Sequence, residues 1–230
     1  MRRKFLVISP HPDDLDFGCG GTIAKLAKEG NAIEELIVSD GSKGSHKVGF
    51  GGKKLASIRE KEEQAAAKVL GAEKVHFLKE KDGEVENTRA LQKKLVAALR
   101  EIKPNVVLSS EPAHSFENMY RSHRDHRIVA EAVFDAIYPA AGNASFFPEL
   151  LKKGLKPHFI DELWFFAPIE ANKTVDISGT ITQKIQALLC HKSQIMDVKT
   201  MEMRIRERAR THKKGKYTEK FRVLKLRLGA

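Results

Sequence analysis

The chain has 230 residues, 41% of them hydrophobic and 31% charged, with 41 Lys and Arg against 30 Asp and Glu for a net charge of +11. That is enough apolar material for one sizeable core, and the charges are dispersed through periodic segments, which excludes wholesale disorder. No run approaches the ~18 apolar residues of a membrane helix. The apolar run after the basic N-terminus is too short for a signal peptide, and two cysteines, Cys19 and Cys190, are too few for a disulfide framework and point to a reducing, cytoplasmic setting.

In chain order, Lys4 to Ser9 is a short apolar run stopped by Pro10 and reads as a buried strand. Gly18, Gly20 and Gly21 lead into a helix over Thr22 to Glu29, the glycines allowing close packing of that helix on a sheet. Ile33 to Ser39 is a second strand, and the Gly- and Lys-rich stretch from Lys43 to Lys53 is a surface loop. Leu55 to Leu70 is helical, with Ile58, Ala65, Ala66, Val69 and Leu70 as its apolar face and Gly71 as its stop. Val75 to Leu78, Val106 to Ser110, Ile160 to Phe166 and Lys173 to Asp176 read as strands. Helices are expected over Thr88 to Ile102, His126 to Ile137, Ser178 to Leu189 with Ser178 as cap, and Ile195 to Arg210. Strands alternating with helices predict an α/β, Rossmann-like fold: one domain over 1–230, a mostly parallel sheet with helices on both faces. Ligands of such sheets bind beyond the carboxyl ends of the strands, which puts residues 9–16, 39–42 and 109–114 at one rim.

Two clusters on that rim carry chemistry. His11, Asp13 and Asp14 follow the first strand, and adjacent carboxylates beside an imidazole are relieved of repulsion by a cation, with nitrogen and oxygen donors suiting zinc. His123 and His126 lie three apart on one face of a helix start, with Asp125 able to orient an imidazole. Together they offer two histidines and a carboxylate, leaving one coordination position to water, the catalytic zinc pattern.

The combination resembles the LmbE/PIG-L family of zinc-dependent N-acetylglucosamine deacetylases. The His-Pro-Asp-Asp motif running into a glycine pair is His11 to Gly21 here, and the His-x-Asp-His motif is His123 to His126. Weaker matches are Arg59 with Glu62, Lys81-Asp82-Gly83, His191 to Gln194 and the stretch from Tyr217 to Leu226. The resemblance implies that His11, Asp14 and His126 hold Zn2+ and that Asp13 is the general base. It implies that His123, oriented by Asp125, stabilises the oxyanion and protonates the leaving amine, while Arg59 and Asp82 bind the sugar and His191 sits at the site rim. Many members carry Glu where this chain has Leu15. Asp16, one place later, is expected to support a ligand rather than bind metal. The implied reaction removes the N-acetyl group from a small acetylated amino sugar, such as N-acetylglucosamine, diacetylchitobiose or a glucosamine conjugate, and releases acetate. By resemblance, the chain is also expected to form a homo-oligomer, a trimer or hexamer.

Two other classes compete. His and Asp clusters also serve metal-dependent phosphoesterases, which would require a second metal. Residues 199–230 hold twelve Lys and Arg against Glu202, Glu207 and Glu219, a net +9 that leaves about +2 for the rest, and such a cationic segment could bind nucleic acid. Tyr217 and Phe221 are its only aromatics, so a solvated helix and an edge strand are the expected reading. His114 is a further candidate for substrate contact, and Phe146 and Phe147 for a sugar pocket or subunit interface.

Overall fold

The computed structural model describes residues 2–45, 47–113 and 122–226; His46 and His114 lie outside them. Five parallel strands, β1 (Lys4–Ser9), β2 (Ala32–Ser39), β3 (Lys74–Glu80), β4 (Val106–Ser110) and β5 (Glu162–Phe166), stand in the order β3-β2-β1-β4-β5. The sheet continues with β7 (Thr218–Lys225), antiparallel to β5, and ends in β6 (Lys173–Asp176). The fold is a Rossmann-like, mostly parallel sheet with helices on both faces.

Side chains alternate across the sheet. Leu6 and Ile8 of β1, with Leu163 and Phe165 of β5, pack under α3 (Arg89–Ile102) and α4 (Arg124–Asp135). Phe5, Val7, Trp164 and Phe166 face the opposite way, against α1 (Asp14–Lys28) and α2 (Gly52–Leu70). A smaller cluster joins α5 (Ile181–Leu188) to α6 (Val198–Ala209) through Ile181, Ile185, Leu188, Met201 and Ile205. Phe147 belongs to the core on the α3 side, which removes it from any sugar pocket. Arg100 is fully buried, and among the described residues no carboxylate pairs with it. It donates instead to the carbonyls of Ala140, Ala141, Asn143 and Phe146 after α4, the placement that suits a cation near a helix C-terminus.

Three local expectations change. Helix α1 starts at Asp14 rather than Thr22 and breaks its helical dihedrals at Cys19. Glycines are poor helix formers, but here the missing side chains are what the packing needs: a Cβ on Gly18 would lie 2.6 Å from the Phe166 ring, and one on Gly21 2.7 Å from Ile177. Past the break, the buried Glu219 carboxylate accepts the N–H groups of Gly21 and Thr22 at 3.1 and 2.7 Å, acting as a cap from β7. Ser178 does not cap α5; that position is Thr180, while Ser178 Oγ accepts from the Tyr217 N–H. The cationic segment does not supply an edge strand. β7 lies inside the sheet between β5 and β6, with Phe221 fully buried, because β6 pairs along its outer side.

The chain leaves β1 for β2 and β3 and then returns to the other side of β1 as β4. This reversal opens a crevice at the carboxyl ends of β1 and β4, where open α/β sheets bind their ligands.

Candidate active site

His11 comes two residues after β1, and His126 lies in the first turn of α4, the helix that follows β4. Both are buried and converge on Asp14. His11 Nδ1 is 3.1 Å from Asp14 Oδ2, His126 Nε2 is 3.2 Å from the same oxygen, and the two ring nitrogens are 3.3 Å apart. The far nitrogen of His11, Nε2, faces two carboxylates: Asp82 Oδ1 at 3.1 Å and Asp125 Oδ2 at 3.3 Å. Carboxylates only accept, so Asp82 and Asp125 hold a His11 proton on Nε2; burial alone would lower the His11 pKa, but the bonds to Asp125, Asp14 and Asp82 raise it well above its usual value. Both carboxylates are held by main chain, Asp82 by the N–H of Lys43 at 2.8 Å and Asp125 by that of Gly83 at 2.7 Å. Burial alone would raise the pKa of each, but the bond and charge of His11 together with the main-chain bond outweigh it, and both lie below the usual range.

Asp13 sits beside this centre with its side chain 14% exposed. Its backbone is left-handed, φ 93° and ψ −27°, a conformation that costs a non-glycine residue on the order of 1–3 kcal/mol and that clusters at functional sites. Burial raises its carboxyl to about 6; Arg59 pulls it down and Asp14 pushes it up. His123 is exposed at the mouth, its ring centroid 5.0 Å from that of His11 and 5.2 Å from that of His126. The main-chain N–H of Asp125 donates to His123 Nδ1 at 3.2 Å, which leaves the proton of a neutral ring on Nε2. Burial and then the charges of His11 and His126 hold its pKa below the ordinary value.

Four of the expected site residues take partners within the protein. Asp125 meets His123 through its backbone amide, because its carboxylate is turned to His11. Asp82 is 5% exposed, with one oxygen facing His11 and the other accepting the Lys43 N–H. Arg59 is 4% exposed; its guanidinium binds the carbonyls of Gly41 and Pro12 and stands 3.2 Å from Asp13 Oδ2. His191 is fully buried rather than at the rim. It donates to Asp16 Oδ2 at 2.8 Å, and Asp16 is therefore a partner of His191 and not of the metal cluster.

A family model described as PIG-L, GlcNAc-PI de-N-acetylase, matches residues 6–137, a span that contains both motifs. The chain belongs to the PIG-L family. It is thus an enzyme of a hydrolase family. The diacetylchitobiose deacetylase of Thermococcus kodakarensis is 36% identical over 192 residues, 84% of this chain and 70% of that protein. The inhibitor-bound structure of N,N'-diacetylchitobiose deacetylase from Pyrococcus horikoshii superposes with a TM-score of 0.89 at 30% identity, over 97% of this chain and 84% of that one. The 4-carboxy-2-hydroxymuconate hydratase GalB of Pseudomonas putida superposes with a TM-score of 0.80 at 22% identity, over 100% of this chain and 99% of that one. That last likeness concerns the fold alone.

Within this PIG-L chain the geometry adds two residues that sequence reasoning missed. Glu63 of α2, fully buried, accepts the Asp13 N–H at 2.8 Å, and Glu35 of β2 is fully buried on the same face of the sheet. Burial, reinforced by neighbouring carboxylates, raises the pKa of both well above the usual range. The inward face of α2 is Leu55, Arg59, Glu63, Ala66, Ala67 and Leu70. Ile58 and Ala65, expected to face the core, are half-buried and exposed. An apolar count alone rotates the helix. The overlooked signal is the helical spacing of Arg59 and Glu63 with Leu55, Ala66 and Leu70.

Proposed function

We propose that this PIG-L enzyme is a zinc-dependent N-deacetylase that hydrolyses the acetamide of an N-acetylglucosamine-type sugar and releases acetate. The observation that carries the reading is the convergence of His11, Asp14 and His126. Zinc holds nitrogen and oxygen ligands at about 2.0–2.2 Å, so ligands at a tetrahedral angle stand roughly 3.3–3.6 Å apart. The separations of 3.1, 3.2 and 3.3 Å lie close to that spacing. The donor set fits as well: a carboxylate oxygen and two ring nitrogens face one another in a buried site, which a cation stabilises. His11, Asp14 and His126 would hold the ion, with Asp82 and Asp125 orienting His11.

When bound, zinc lowers the pKa of water to ~7 and polarises a carbonyl. Asp13, tuned to about 6 by burial, takes the proton of the attacking water and is then matched to deliver one near neutral pH. Exposed His123 presents Nε2–H to the carbonyl oxygen as negative charge develops there, and the proton taken by Asp13 passes to the departing amine. Arg59 draws Asp13 and the Pro12 carbonyl against α2. It acts on the base rather than on the sugar.

The names of the two diacetylchitobiose deacetylases support diacetylchitobiose or a related small acetylated amino sugar as substrate. Family membership supports amide hydrolysis over the phosphoesterase alternative. The buried Glu219 and Phe221 of β7 support a structural role for the cationic segment over nucleic-acid binding. The test is acetate release from N-acetylglucosamine and diacetylchitobiose, run beside phosphate release from sugar phosphates. Acetate alone is expected; phosphate without acetate would overturn the assignment.

A further inference from the structure

Asp13 is gripped from two sides by one helix. Arg59 and Glu63 are four residues apart on the inward face of α2. Arg59 reaches the Asp13 carboxylate and the Pro12 carbonyl. Glu63 reaches the main chain of Asp13: its Oε2 accepts the Asp13 N–H at 2.8 Å. The Asp13 carbonyl accepts from the N–H of Phe17 at 3.1 Å, so both peptide groups flanking this left-handed residue are fixed. Behind Glu63 stands His191, its Nε2 3.7 Å from Glu63 Oε2 and 2.8 Å from Asp16 Oδ2. All three side chains are fully buried. A buried carboxylate is costly unless charged or hydrogen-bonding partners compensate it, and a network of this kind rigidifies what it touches.

We propose that Glu63 is a positioning residue that holds the left-handed backbone of Asp13 through its N–H and thereby aims the proton-accepting carboxylate, with Asp16 and His191 setting Glu63 in place. The inference rests on the reading of Asp13 as general base. A misplacement of about 1 Å at a reacting group costs on the order of 10²-fold in rate, so loss of the acceptor registers in turnover rather than in affinity.

The experiment compares Glu63→Gln, which keeps an acceptor oxygen, with Glu63→Met, which removes it at similar size. Glu63→Met is expected to lose roughly 10–10²-fold in kcat with KM within about threefold and zinc content unchanged. Glu63→Gln is expected to stay within about threefold of wild type. In an Asp13→Ala background, adding Glu63→Met is expected to cost less than about twofold more, because the group it aims is gone. Wild-type kcat in Glu63→Met, or an undiminished further loss in the Asp13→Ala background, would overturn the proposal. Should Glu63→Met fail to fold, Glu63→Gln decides: retained kcat supports it, and a tenfold loss at full zinc overturns it. Wild-type activity in Asp13→Ala would remove the parent reading and this inference together, whereas wild-type activity in Glu63→Met alone removes only the inference.

Discussion

His11 Nδ1 and His126 Nε2 lie 3.3 Å apart although 115 residues separate them in the chain. The sheet order brings them together: β1 and β4 are neighbours, and each histidine follows the carboxyl end of its strand. The expected consequence is that His126→Ala loses tight zinc binding, leaving two protein ligands where catalytic sites keep three. Metal analysis after dialysis against a weak chelator checks this; stoichiometric zinc retained in the variant would speak against the ligand set.

Asp13→Ala and His123→Ala are expected to separate metal binding from turnover. Each should keep one zinc per chain. Asp13→Ala should lose roughly 10²–10⁴-fold in kcat as a missing general base, and His123→Ala about 10²–10³-fold as a missing oxyanion donor. Steady-state acetate release with parallel metal analysis reads both. Turnover kept in either variant removes that residue from its role.

The pH profile has a predicted acid limb. Burial raises Asp13 to about 6, and a general base works only when deprotonated. kcat/KM should therefore rise with pH through about 6 and fall about tenfold per unit below it. A profile level down to pH 4.5 would contradict Asp13 as the base.

His191 gives a stability signature of the opposite sense. Burial alone would lower its pKa from 6.5, but the bond to Asp16 and the charges of Asp16, Glu63 and Asp13 raise it to about 9. Its contribution is complete below the unfolded value near 6.5 and is lost as pH rises through about 9. By linkage it amounts to roughly 3 kcal/mol. Urea unfolding at pH 6 and pH 9.5 should show this loss in wild type and a smaller one in His191→Gln. Equal losses in the two proteins would dissolve the argument.

The two motif clusters were legible because each is contiguous and chemically dense. What one sequence leaves open is direction. Asp82 and Arg59 sit near the rim as expected, yet both point inward, and that depends on β3 register and on the rotation of α2. Glu63 was hidden beside Glu62, which turns instead to Ser193 and takes its N–H and hydroxyl at 2.8 and 2.6 Å. The inner position of β7 was equally out of reach, because nothing local to residues 218–225 announces that β6 will pair outside it.

Gly21→Ala tests the close approach of α1 to its neighbours. In an open helix this change gains up to ~1 kcal/mol. Here the new Cβ would stand 2.7 Å from Ile177 Cδ1 and 3.0 Å from its Cβ, so overpacking of about 1–3 kcal/mol should win and lower the stability. Thermal unfolding decides the sign, and a raised Tm would mean that the contact gives way easily.

The central claim is that one zinc, held by His11, Asp14 and His126, makes the chain a deacetylase. Its most direct test is titration of zinc into chelator-stripped protein while acetate release from diacetylchitobiose is followed. The account predicts negligible release without metal and a rise that levels off at about one zinc per chain. Full acetate release from the zinc-free protein, or none from any acetylated amino sugar once that zinc is bound, would contradict it.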